Sequence, residues 1–259
     1  MRRGATRALA LAAAALAAGA CPARARSADW RAEAPPLPLD GPLRPLAGPV
    51  AVGGSAWGPW RRICREQVTA RGRPAERTCL QVAEARAEGE AMRLTLEVEG
   101  AGLRISALRD AAGRVTEFRA LSADGGPAPP DPARERLLAE WRAQFAALSL
   151  ERRRIPAREG FDLPVHGSAR GMACRAEGGA ALRGRPVVVL ACGVRLEGRL
   201  GREATAMEVT IFARLAVDVA SGIIAAQSYA TRVARLAAAE GGEPRPAGVV
   251  VTPSRVTME

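Results

Sequence analysis

The chain has 259 residues, 48% of them hydrophobic but only 3% aromatic, and a formal charge of +11 at pH 7. That length suffices for one large or two small domains, and the apolar fraction supports a core built mainly from Ala, Leu and Val. Apart from one His, every basic side chain is Arg; the arginines are spread among Asp and Glu with no interleaved aromatics, so no nucleic-acid partner is expected, while peripheral contact with anionic envelope material stays open.

Residues 1–25 read as a signal peptide. Arg2, Arg3 and Arg7 precede an apolar stretch, Ala8 to Ala18, that is too short to span a bilayer. Small residues allow cleavage after Ala20 or after Ala25. Acylation of Cys21 is the weaker alternative, because Ala18 stands three places upstream, where lipoproteins usually carry Leu. The mature protein is therefore expected in the periplasm.

Residues 26–49 form a Pro-rich linker, ending in PPLPLDGPLRPLAGP, expected to be extended. Order is expected to begin near Val50 or Trp57. Trp57 and Trp60 then supply two indoles that can plug one end of the core.

The first strand evidence follows. Met92 to Glu99 alternates apolar and polar residues without a break, the mark of a half-buried strand. Gly100 to Gly102 makes a turn, and Leu103, Ile105 and Ala107 resume the alternation. Asp110 to Gly113 is a second turn signal, and Val115 to Leu121 returns. This is an antiparallel meander with one wet face.

A helix is predicted over 131–154. Asp131 suits the N-cap and Pro132 the first helical position. Leu137, Leu138, Trp141, Phe145 and Leu148 recur at helical spacing on one face. Arg152, Arg153 and Arg154 complement its negative end, and Pro156 closes it.

Pro156 to Ala169 reads as irregular and holds His166, the only imidazole. Strands then resume. Pro186 to Cys192 is apolar on both faces and is expected to lie centrally in the sheet. Met207 to Val217 alternates, Asp218 to Gly222 turns, and Ile223 to Val233 pairs back. Val249 to Val251 before Pro253 suggests a last, edge-type strand.

The two β-regions share an order of landmarks. Cys64, RGRP at 71–74, Cys79, Met92 and Asp110 recur as Cys174, RGRP at 183–186, Cys192, Met207 and Asp218. That pattern suggests an internal duplication. Residues 50–259 thus read as one β-rich domain: two similar meanders, 57–124 and 170–236, joined by the helix. The fold class is α+β, an antiparallel meander sheet packed against one long helix.

Four cysteines besides Cys21 in an oxidising compartment point to two structural disulfides. Three pairings are possible, and proximity favours Cys64 with Cys79 and Cys174 with Cys192. If Arg71-Gly72 is a two-residue hairpin tip, Cys64 falls directly opposite Cys79. A tip at Arg183-Gly184 leaves Cys174 and Cys192 one residue out of register, so that pair needs a bulge or a longer turn.

No catalytic or metal-ligand spacing is present, so neither an enzyme nor a cofactor or metal is expected. His166 has no partner pattern that would make it a base. Gly160 to Gly171 can serve as a flap over a cavity.

The order of elements from about Trp57 to Val233, with turn-flanked strands such as LAVDVASGIIA, resembles the LolA-like periplasmic lipoprotein carriers. That resemblance implies a half-barrel sheet whose concave face shelters an acyl chain. It implies lipid or lipoprotein as partner. The lining candidates are Met92, Leu94 and Leu96, then Met207, Val209 and Ile211, with Trp141 and Phe145 from the helix. A non-enzymatic carrier is the expected function, and an envelope scaffold without ligand is the alternative.

Overall fold

The fold is seen in a computed structural model that describes residues 30–259 apart from 54–56, 69–73, 149, 151, 165–170, 201–204 and 240–241. Residues 1–25, expected to be a signal peptide and including Cys21, lie outside the described residues, as does His166. Five strands precede the helix in one meander: β2 (Arg62–Val68), β3 (Pro74–Glu88), β4 (Ala91–Val98), β5 (Leu103–Arg109) and β6 (Val115–Leu121). The helix, α1, spans Pro132–Ala146. After it come β8 (Phe161–Leu163), β9 (Met172–Leu182), β10 (Arg185–Leu200), β11 (Thr205–Asp218), β12 (Ile224–Ala239) and β13 (Gly242–Met258). Two short strands, β1 (Val50–Val52) and β7 (Arg153–Ile155), pair only with each other.

The eleven strands other than β1 and β7 form one antiparallel sheet in the order β6-β5-β4-β3-β2-β13-β12-β11-β10-β9-β8. The expected α+β class holds: one meander sheet carrying one helix. The two meanders run in the same direction across the sheet and meet where β13 pairs with β2. This corrects the reading of the last strand as an edge. Pro253 misled, because a proline lacks the N–H a ladder needs. The β2 ladder reaches only to Ser254, one residue short of Pro253, so the missing donor falls beyond it.

β10 is not central either; it lies third from one edge. Its residues are apolar on both sides because both faces are covered. Val187 and Val189 belong to one core cluster, and Val188, Leu190 and Cys192 to another. The stretch 156–169, read as irregular, contains β8, which pairs with the start of β9.

α1 begins as the sequence predicts. Oδ1 of Asp131 accepts from the N–H of Ala133 at 2.8 Å and of Arg134 at 3.0 Å. It ends eight residues early, at Ala146 rather than 154. The chain is captured there by the β11–β12 turn: Leu150 N–H donates to Gly222 O at 2.9 Å, and Ile224 N–H to Leu148 O at 2.7 Å. Leu148 and Leu150 are buried, so their side chains serve the core without a helix. Arg153 and Arg154, expected to cap the helix, stand instead on β7.

Leu138, Trp141 and Phe145 of α1 press on the face of β4–β6 that carries Leu94, Leu96, Ile105 and Phe118. The Phe145 ring stacks on Trp57 at 5.4 Å between centroids and leans on Phe118 at 5.7 Å. The opposite face of this half is wet, with Arg93 paired to Glu88 and Glu117. On the other half the β1–β7 ribbon covers the same, inner face, where Val52 and Ile155 meet Val188, Leu190, Leu215 and Val217.

Order begins well before Val50. The Pro-rich segment is a strap around the sheet. Pro35 O accepts from the Ser228 hydroxyl, and Leu37 and Leu39 pack on the cluster that holds Val187, Val189, Ala216 and Ala226. Arg44 then pairs with Gly179 on the free side of β9, at 2.9 and 2.8 Å, and Leu46 joins the inner cluster. The strap thereby covers a sheet edge that would otherwise be open to pairing. Gly178, at φ +158, allows the approach: a Cβ there would sit 2.6 Å from Arg44 O.

Both expected disulfides form. Cys64 lies directly opposite Cys79, with Cα atoms 4.1 Å apart. Cys174 lies opposite Cys192, also at 4.1 Å. The one-residue discrepancy in the second hairpin is absorbed by a bulge opposite Val189 and Leu190. Arg183 and Gly184, with φ of 51° and 71°, make the two-residue turn. Tracing the register from Cys64 through Thr257, Ala226, Ala216 and Val189 puts the two bridges on opposite faces of the sheet.

Candidate functional site

The residues proposed to line a ligand cavity fall into two groups. Leu94 and Leu96 are fully buried, Trp141 and Phe145 nearly so, and Met92 packs at their edge. These side chains fill the layer between sheet and helix. Met207, Val209 and Ile211 are not with them; they form a separate cluster with Val233 and Leu196 on the long strands beyond the ribbon. The structure therefore does not bring the eight candidates around one space.

Open space lies elsewhere. A groove of about 880 Å³ runs over β8 to β11. Cross-strand neighbours Asp162, Ala173, Gly193 and Phe212 make one row of its floor. Arg175 and Ala191 make the next row, and Arg195 with Thr210 the row on the other side. These residues alternate away from the inner core, so the groove lies on the outer face. Its depth comes from small side chains. Ala173, Ala191 and Gly193 leave the backbone uncovered, and a Cβ on Gly193 would meet only Ile211 O, at 3.7 Å. Arg31 closes one side from a short 3₁₀ turn, Trp30–Glu33. Among the eight cavity candidates, only Ile211 lines this groove.

Three arginines and one aspartate line the groove. Arg195 is engaged by Glu208 at 2.8 Å and by Glu197 at 3.2 Å. Arg214, next to Ala191, is engaged by Glu177 at 3.1 Å. Arg175 has no carboxylate within ion-pair distance among the described residues.

Two further polar features escaped the sequence reading. At the turn end of the sheet, Asp218 is fully buried and accepts from Arg185 at 2.7 Å and from the Ser221 hydroxyl at 2.6 Å. Arg185 also lies over the Trp60 ring at 5.9 Å. Arg109 is buried nearby, and burial pushes its guanidinium down to about 10. In the sheet interior the Tyr229 hydroxyl donates to Gln227 Oε1, and burial pushes the phenol well up. These groups knit the fold together; none of them faces the groove. A smaller cleft of about 250 Å³ is lined by Glu66, Arg77, Arg255 and Glu259, which neutralise one another.

One signal for the groove was legible. Gly193 interrupts an apolar strand, and a glycine inside a strand marks a missing side chain or a close approach. No group of His, Cys, Asp or Glu able to hold a metal occurs among the described residues. No helix there is long and apolar enough to cross a membrane. The two disulfides fit an oxidising compartment. No protein-family model matches the sequence, and no curated protein matches it.

Proposed function

We propose that the chain is an exported, periplasmic, non-enzymatic binding protein for an apolar, lipid-like ligand, and that the groove over β8–β11 takes the ligand. One observation carries this reading: an open volume of about 880 Å³ floored by Ala173, Ala191 and Gly193 with the Phe212 ring beside them. That volume falls within the roughly 300–1,000 Å³ common for small-molecule sites. The layer beneath α1 is a poor alternative, because Leu94, Leu96, Trp141 and Phe145 leave one another no room.

Native mass spectrometry of protein purified from a periplasm tests the proposal. A reproducible adduct of lipid mass, lost on denaturation and absent in Gly193→Trp, is the expected result. A bare mature mass would contradict it.

A second reading, an envelope interaction scaffold, is favoured by a different observation. β13 extends past β2 and carries Val249 and Val250, 38% and 43% exposed. Exposed valines on a strand beyond its neighbour are suited to contact with another chain. A bare protein that co-purifies with a stoichiometric envelope protein would favour that reading.

A further inference from the structure

We infer that the groove's ligand carries a single carboxylate head, held by Arg175, with its chain lying along Ala191, Gly193 and Phe212; this rests on the groove reading above. Arg175 sits in the row beside Ala191, and Arg195 lies two rows further along the same face. Arg195 stands four residues after Ala191 on β10, about 13 Å away at the usual rise. The small-residue floor between them has the length of a medium acyl chain.

Of the two arginines, Arg175 is the one available to a head group. Arg195 already has Glu208 and Glu197. A guanidinium fork matches a planar carboxylate with two parallel hydrogen bonds. Asp162 lines the same groove, in the row of Ala173 next to Arg175. Its negative charge penalises a doubly charged head more than a singly charged one, which favours a fatty carboxylate over a phosphate monoester.

The test compares dodecanoate, dodecyl phosphate and dodecanol on the mature protein by titration calorimetry below their micelle concentrations. Dodecanoate should bind at least about tenfold more tightly than dodecanol, and Arg175→Gln should remove that difference. Raising the salt should weaken dodecanoate and leave dodecanol unchanged. Equal binding of dodecanoate and dodecanol, or tighter binding of dodecyl phosphate, overturns the head-group inference. It leaves the groove reading standing, provided Gly193→Trp still abolishes binding. Failure of all three to bind, or undiminished binding by a folded Gly193→Trp, overturns both.

Discussion

Arg109 Nη2 donates to the carbonyl oxygen of Ser221 at 3.4 Å, although β5 and β12 are separated in the sheet by β4, β3, β2 and β13. Two turns so far apart can touch only if the sheet curls on itself. Arg109 also donates to Gly113 O at 3.2 Å, so one buried side chain ties the β5–β6 turn to the β11–β12 turn. Arg109→Ala should lower stability by about 2–3 kcal/mol, through lost packing and two carbonyls left without their donor. Arg109→Met, which keeps the volume without the buried charge, should cost less. Urea denaturation of the two variants decides; equal losses would mean that the charge itself matters most.

Asp218 should be the most sensitive carboxylate in the chain. It is fully buried and receives Arg185 and Ser221. Asp218→Ala should cost about 1–3 kcal/mol, because the buried Ser221 hydroxyl and the partly exposed Arg185 guanidinium both lose their acceptor. The double change with Arg185→Met should recover part of that loss. Thermal unfolding of both variants checks this.

The strap depends on Gly178. Gly178→Ala would place a Cβ 2.6 Å from Arg44 O, so the strap must lift or the strand must move. Amide exchange at Arg44 and Gly179 should rise by more than tenfold while exchange in β4 stays unchanged. A uniform rise would point to global destabilisation instead.

Each disulfide should contribute about 3 kcal/mol, since the bridges close loops with sequence separations of 15 and 18. Paired Cys→Ser variants measured in urea should fall near one another. Peptide mapping without reduction should recover Cys64 with Cys79 and Cys174 with Cys192, and a crossed pairing would refute the register described for both hairpins.

The N-cap of α1 makes the helix acid-sensitive. The backbone N–H groups of Arg134 and Ala133 hold the Asp131 carboxyl below its ordinary value of 3.8. A carboxyl depressed in the folded state stabilises fully above its unfolded pKa and loses that contribution as pH falls through the folded pKa. Asp131→Asn keeps a good cap without the charge. The urea midpoints of wild type and this variant should therefore differ at pH 6 and converge towards pH 2.5.

Much of this architecture was written in local patterns. The alternation from Met92 to Glu99, the turn at Asp110 and the cap at Asp131 are short-range signals, and short-range physics honours them. The Cys174–Cys192 offset called for a bulge or a longer turn, and the bulge is what the second hairpin uses. What failed was long-range. Nothing local to Leu148 says that the β11–β12 turn will take over its hydrogen bonds. Nothing local to Pro253 says that its ladder with β2 stops one residue short of it. The strap was hidden because proline-rich sequence is extended whether or not an edge receives it. The candidate site suffered similarly. Leu94 and Trp141 were visible as apolar, but whether apolar faces enclose a space or fill one another depends on how closely the layers approach. The groove is defined by side chains that are small, and small residues leave a weak trace in any hydrophobic pattern.

Hydrogen exchange with and without saturating dodecanoate locates the ligand most directly. Protection confined to β9 and β10 around Ala173, Ala191 and Gly193, with α1 and β4 unchanged, is the expected result. Protection centred on Leu94, Leu96, Trp141 and Phe145 would place the ligand beneath the helix and contradict the groove.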